Sequence, residues 1–230
     1  MKKVLFAIFW TVFSFIAARY IVGAPLALLL GENFSSPFWV AIYQILFYLV
    51  AVFLVVFVPW KIFKKFPTNR TELGLKNLPT WSDIGLSIVG FLVYLIAAGF
   101  FVNLLSNLPF FDADAVQETG YGAYVLGFNR FMAFLALVIA APIGEEIIFR
   151  GWLYGKLRAK INNKFSLLIS ILIVSIIFAL FHGQLNVMAN VFVMSIVLCL
   201  MRETTGTIYS GILLHIIKNA VAFYLVYVMV

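Results

Sequence analysis

The sequence is poor in charge. Of 230 residues only 16 are Lys or Arg and nine are Asp or Glu, 11% in all, where an average soluble domain carries about 25%. Histidine occurs twice and cysteine once. A lone Cys199 excludes any disulfide within the chain, and its place in an apolar run reads as a small buried hydrophobe. Internal repeats, low-complexity tracts and linkers are absent, as are the short alternating segments of a membrane β-barrel.

What fills the chain instead is apolar: 64% hydrophobic residues and a mean hydropathy of +1.09. Charge-free or nearly charge-free stretches run over 4–30, 38–60, 84–108, 124–157, 166–182, 185–201 and 206–229. Each approaches or exceeds the ~20 residues that span a bilayer. The expected fold is therefore all-α, a polytopic transmembrane helical bundle of seven helices, or eight if one is broken, in one domain over 1–230. The opening MKKVLFAIFW imitates a signal peptide, but its apolar run is too long and lacks a small-x-small cleavage site, so it reads as the first membrane helix.

The net charge of +7 falls between these stretches and not on a polar domain, which argues against nucleic acid as a partner and for membrane lipid as the surroundings. Basic loops at 2–3, 61–76, 156–164 and Arg202 take turns with acidic ones at 31–36 and 112–118. By the positive-inside rule the N-terminus lies in the cytoplasm and, after seven crossings, the C-terminus outside. Trp60 and Trp81 flank the longest basic loop as interfacial anchors.

Against this background AAPIGEEIIFRGW, residues 140–152, needs explaining. A charge at the bilayer centre costs at least ~2.5–3.5 kcal/mol. Yet Glu145 and Glu146 sit within a spanning stretch, as do both histidines, His182 and His215, with Asn219 four residues after the second. Counted at ~1.5 Å per residue from the nearest cytoplasmic base on the same segment, Glu145 lies ~20 Å from Arg158, His182 ~27 Å from Lys164, and His215 and Asn219 ~20 Å and ~26 Å from Arg202, so all four are able to share one layer.

The two acids differ. Glu146 and Arg150 stand at i,i+4 in the favourable order for a pair along one helix. Glu145 points about 100° away and is left without that partner, which suits it to take a proton from water and return it, with a neutral histidine as the other proton carrier. Pro142 and Gly144 just upstream are expected to break the helix so that it meets His182 and His215. Structural ion pairing and helix-to-helix hydrogen bonding are the simpler explanations for such groups, and structural support is the role read for Glu146 and Arg150. Lys218 and Arg19 are as well explained by snorkelling and are not assigned to the site.

Three of these patterns together resemble the intramembrane CAAX proteases and bacteriocin-processing enzymes, the Abi family. Two glutamates, three residues and arginine stand as EEIIFR; phenylalanine, three residues and histidine as FALFH, Phe178 to His182; histidine, three residues and asparagine as HIIKN, His215 to Asn219. The resemblance covers about 130–223. It implies a catalytic core over 124–230 behind variable helices in 1–120, and an endopeptidase acting on a membrane-associated peptide or protein. A prenylated peptide is the family's best-known substrate class, and a bacterial cell membrane the expected setting. It also implies that Glu145 and His182 activate water while His215 and Asn219 stabilise the oxyanion, with Glu146 and Arg150 in support.

The family is often described as metalloproteases, and Glu145, His182 and His215 would make a zinc set with one position open. The chain lacks H-E-x-x-H, and the same residues serve a metal-free hydrolysis, the favoured expectation here, with no cofactor. Other functions fit less well. An ion-coupled transporter would use the same polar groups but commonly shows paired repeats. A serine protease on Ser210 and His215 lacks the Gly-x-Ser-x-Gly elbow. A binding, immunity or scaffold role is opposed only by the completeness of the motifs.

Overall fold

The computed structural model describes residues 2–113, 115, 121 and 126–229, and all its regular elements are helical. Seven rods follow one another: α1 (Lys2–Ser35), α2 (Pro37–Ile62), α3 (Trp81–Leu105), α4 (Gly127–Lys160), α5 (Ser166–Leu180), α6 (Leu185–Thr205) and α7 (Tyr209–Tyr227). Six are long and apolar enough to cross a membrane, and α5, at 15 residues, is the short one. The expected start of the fourth stretch at 124, and Asp114 and Glu118 of the acidic loop, lie outside the described residues.

The rods are apolar all round because both their environments are apolar. Leu28, Ile96 and Phe100 are 88%, 76% and 73% exposed, as expected for side chains facing lipid, whose tails satisfy none of the backbone's hydrogen bonds and so require a helix. Local signals set the ends. Asp83 accepts the Thr80 main-chain N–H at 2.8 Å at the start of α3. Gly206, with φ +68°, closes α6 in the left-handed conformation.

α4 is the axis of the bundle and packs against α1, α2, α5, α6 and α7. Every residue from Ile148 to Tyr154 on it is buried. Pro142 and Gly144 do not break this rod, contrary to the reading from sequence. Instead the winding changes along it, with π-helix at Leu135–Ala140 and Glu146–Tyr154 on either side of a short α segment, Ala141–Glu145. Pro142 lies where the winding passes from π to α, and such local changes of pitch accommodate a proline within a membrane helix.

The basic connections gather on one side. Lys156 on α4 donates to Glu72 at 2.8 Å, Arg202 on α6 donates to the Glu72 carbonyl at 2.9 Å, and Arg158 on α4 pairs with Glu203 on α6 at 2.6 Å. The loop after α2 and the ends of α4 and α6 therefore share a face of the bundle, as their common charge leads one to expect.

Candidate active site

The π-wound stretch of α4 opens on Glu146. Its Oε1 accepts from Arg150 Nη1 at 2.9 Å, and both side chains are almost fully excluded from solvent. Arg150 also lies over the Phe178 ring of α5, 4.4 Å from its centroid, so the guanidinium has a carboxylate along its helix and an aromatic face across from it. Sequence spacing identified this pair; it did not show that a third group shares the carboxylate. His215 Nδ1 of α7 stands 3.0 Å from the same Glu146 Oε1. Gly211, one turn earlier on α7, leaves room for the other oxygen: a Cβ there would lie 3.4 Å from Glu146 Oε2.

Glu145 is buried at 7% exposure, yet it is not the isolated acid that the sequence suggested. Tyr48 of α2 donates its hydroxyl to Glu145 Oε1 at 2.5 Å, and Glu145 Oε2 is 3.7 Å from His215 Nε2. The two nitrogens of one imidazole thus face the two neighbouring glutamates. Gly144 makes the first contact possible, since a Cβ there would meet Tyr48 Cδ1 at 2.8 Å and Tyr48 Cβ at 2.9 Å.

His182 sits just past the end of α5, in the turn that leads to Gly183 at φ +72°. Its Nδ1 is 2.9 Å from the Phe178 carbonyl. A carbonyl only accepts, so Nδ1 carries the hydrogen and the neutral ring presents Nε2 as an acceptor. Phe178, the first residue of the FALFH pattern, therefore orients His182 through its backbone and touches Arg150 through its ring. Asn219 donates one amide hydrogen to the Leu137 carbonyl at 2.8 Å, within the upper π-wound stretch of α4, and retains a second hydrogen.

These groups line one cavity of about 460 Å³ inside the bundle, with Glu145, His182, His215 and Asn219 all on its wall. Five helices meet there: α1, α2, α4, α6 through Val191, and α7, with the turn after α5. Two cations left outside the site on sequence grounds, Arg19 and Lys218, are on the same wall, as are Tyr48 and Gln44. Tyr43 lines the same wall. Charge in an apolar run was the signal for Arg19 and Lys218; Tyr48 carried none.

The donor set was tested for a metal. Among the described residues no three His, Cys, Asp or Glu side chains stand together so as to hold one ion. The set of Glu145, His182 and His215 does not fit a three-ligand site as arranged, and no step below runs through a metal.

A bundle of this length and apolarity is an integral membrane protein, here with an acid–histidine centre on the wall of a cavity between its helices. Residues 127–221, the segment that holds all three motifs, match the family model described as "Type II CAAX prenyl endopeptidase Rce1-like". Over 165 residues the chain is 28% identical to "Putative membrane peptidase YdiL" of Bacillus subtilis (strain 168), a match covering 69% of this chain and 62% of that relative. No solved structure matches it significantly.

Proposed function

We propose that the protein is an intramembrane endopeptidase that hydrolyses a peptide bond of a membrane-associated peptide or protein. The observation that carries this reading is the convergence of Glu145, His182, His215 and Asn219 on one cavity between the helices, with hydrogen-bonding polarity suited to both halves of the reaction. The family match over 127–221 supports it.

In this mechanism Glu145 and the Nε2 acceptor of His182 take a proton from water as its oxygen attacks the scissile carbonyl carbon. The carbonyl oxygen becomes the oxyanion. His215 Nε2 and the free amide hydrogen of Asn219 donate to it. The proton then passes to the leaving nitrogen as the C–N bond breaks, so the acid–base pair returns to its starting state. The role given to His215 has a requirement: with Nδ1–H bonded to Glu146, Nε2 donates only from the imidazolium form. In that form the carboxylates of Glu145 and Glu146 face the cations of Arg150 and His215. Glu146 and Arg150 thereby hold His215 as well as their own helix.

The setting proposed with this activity is a bacterial cell membrane with the N-terminus in the cytoplasm, a metal-free centre, and a substrate of the prenylated-peptide class. The test is cleavage of a membrane-presented reporter peptide by protein reconstituted in lipid nanodiscs. Glu145→Gln and His182→Ala should each abolish turnover while keeping the wild-type elution volume and thermal transition. Cleavage retained by either variant overturns the mechanism, and wild-type protein that retains peptide without cutting it points to a binding or immunity role.

A further inference from the structure

A second cavity, of about 660 Å³, lies at the end of the bundle that carries the basic loops. It is lined by the start of α1, the loop after α2, the last turns of α4 and the end of α6, and six of its lining residues are cationic: Lys3, Lys65, Lys156, Arg158, Lys160 and Arg202. Two of the six are neutralised within the fold. Lys156 is held by Glu72 at 2.8 Å and Arg158 by Glu203 at 2.6 Å, and these are the only acids on the wall.

The remaining four have no carboxylate within pairing distance among the described residues. Lys3, Lys65 and Lys160 are exposed at the rim. Arg202 is deeper. One of its nitrogens bonds the Glu72 carbonyl, but its Nε–H is buried and has no hydrogen-bond partner. A buried donor on a cation, left unmade, is destabilising unless an acceptor fills the place.

We infer that this cavity binds the phosphate of an anionic phospholipid headgroup, clamped between α1, α4 and α6. Lipid is favoured over a free anion by position. The site lies where three apolar rods end, at the level where headgroups sit, and basic pockets between membrane helices on such a face recognise anionic headgroups. The inference stands apart from the proposed proteolysis, since it shares no residue with the catalytic cavity.

Native mass spectrometry of the purified full chain in mild detergent, titrated with phosphatidylglycerol or phosphatidylcholine, tests it. One phosphatidylglycerol should be retained in preference to phosphatidylcholine. Retention should weaken about fivefold for each lysine removed in a Lys3→Gln, Lys65→Gln, Lys160→Gln series. A control variant, Lys61→Gln with Lys64→Gln and Arg70→Gln, removes equal charge from the same face outside the cavity and should bind as wild type. Equal loss in the control overturns the site in favour of diffuse surface charge. Equal retention of phosphatidylcholine, or displacement of the lipid by millimolar inorganic phosphate alone, overturns the assignment to an anionic headgroup.

Discussion

The phenol of Tyr48 on α2 donates to Oε1 of Glu145 on α4 across 2.5 Å, and the ring reaches that position because residue 144 has no side chain. One oxygen of the proposed general base is thereby committed to a neutral donor, while the other faces His215 and the cavity. A carboxylate fixed in this way presents a single lone-pair edge to water, which is what positioning a base in advance of the reaction requires.

Tyr48→Phe should therefore lower kcat by roughly tenfold or more, the scale of one hydrogen bond to a charged group, with KM little changed. The ring remains against Gly144, so the thermal transition should stay within a few degrees of wild type. Steady-state kinetics on the reporter peptide separate the outcomes. A variant that changes KM alone would assign Tyr48 to substrate binding instead.

Gly144→Ala places a Cβ 2.8 Å from Tyr48 Cδ1 and 2.9 Å from Tyr48 Cβ. Both ends of the contact lie in packed helices, so the strain, on the order of 1–3 kcal/mol for such overpacking, should appear as a lower melting temperature together with lost activity. Removing the ring should relieve the Cδ1 part of the clash, while an alanine at position 48 keeps the Cβ contact at 2.9 Å. The double variant Gly144→Ala with Tyr48→Ala is expected to melt higher than the sum of the two single effects, and strict additivity would show that the two positions are not in contact.

How far the site was legible in the sequence depended on whether a relationship ran along a helix or between helices. Glu146 with Arg150 and His215 with Asn219 are four residues apart on one rod, and spacing placed each pair on one face. The Tyr48 to Glu145 bond joins residues 97 apart in the chain, and a tyrosine in an apolar run resembles any other lipid-facing aromatic, so nothing marked it. The seven rods were legible because a bilayer makes charge costly, so that charged residues are few along their length. The π winding of α4 was not, since Pro142 and Gly144 are as compatible with a break as with a change of pitch, and only packing on Tyr48 and Leu137 distinguishes the two. His215 illustrates the remaining limit: its motif suggested one role, while the fold gives its two nitrogens separate partners, Glu146 and Glu145.

Glu146→Gln tests the supporting cluster. The substitution keeps shape but removes the charge shared by Arg150 and His215, leaving a fully buried guanidinium without its counter-ion. Breaking one partner of a buried pair costs about 3–5 kcal/mol, so the transition in detergent should fall clearly, with turnover lost as the His215 imidazolium loses its compensation. Glu146→Asp, tested in parallel, should recover part of the stability. An unchanged melting temperature with normal expression for Glu146→Gln would remove the structural role.

Metal dependence separates two chemistries that this set of residues has to be tested between. If Glu145 and His182 activate water directly, protein dialysed against a chelator and shown by elemental analysis to hold far less than one metal per chain should cleave at the untreated rate. Adding zinc should then leave the rate unchanged or inhibit, because an ion drawn to His182 Nε2 would occupy the acceptor needed for the proton. The tyrosine supplies an internal control. In a metal-free site Tyr48→Phe acts on turnover without altering bound metal, whereas in a metal site loosening Glu145 should weaken metal retention in step with activity. Activity lost on chelation and restored by stoichiometric zinc, with Tyr48→Phe needing more zinc for recovery, would replace the direct mechanism with a metal-bound one.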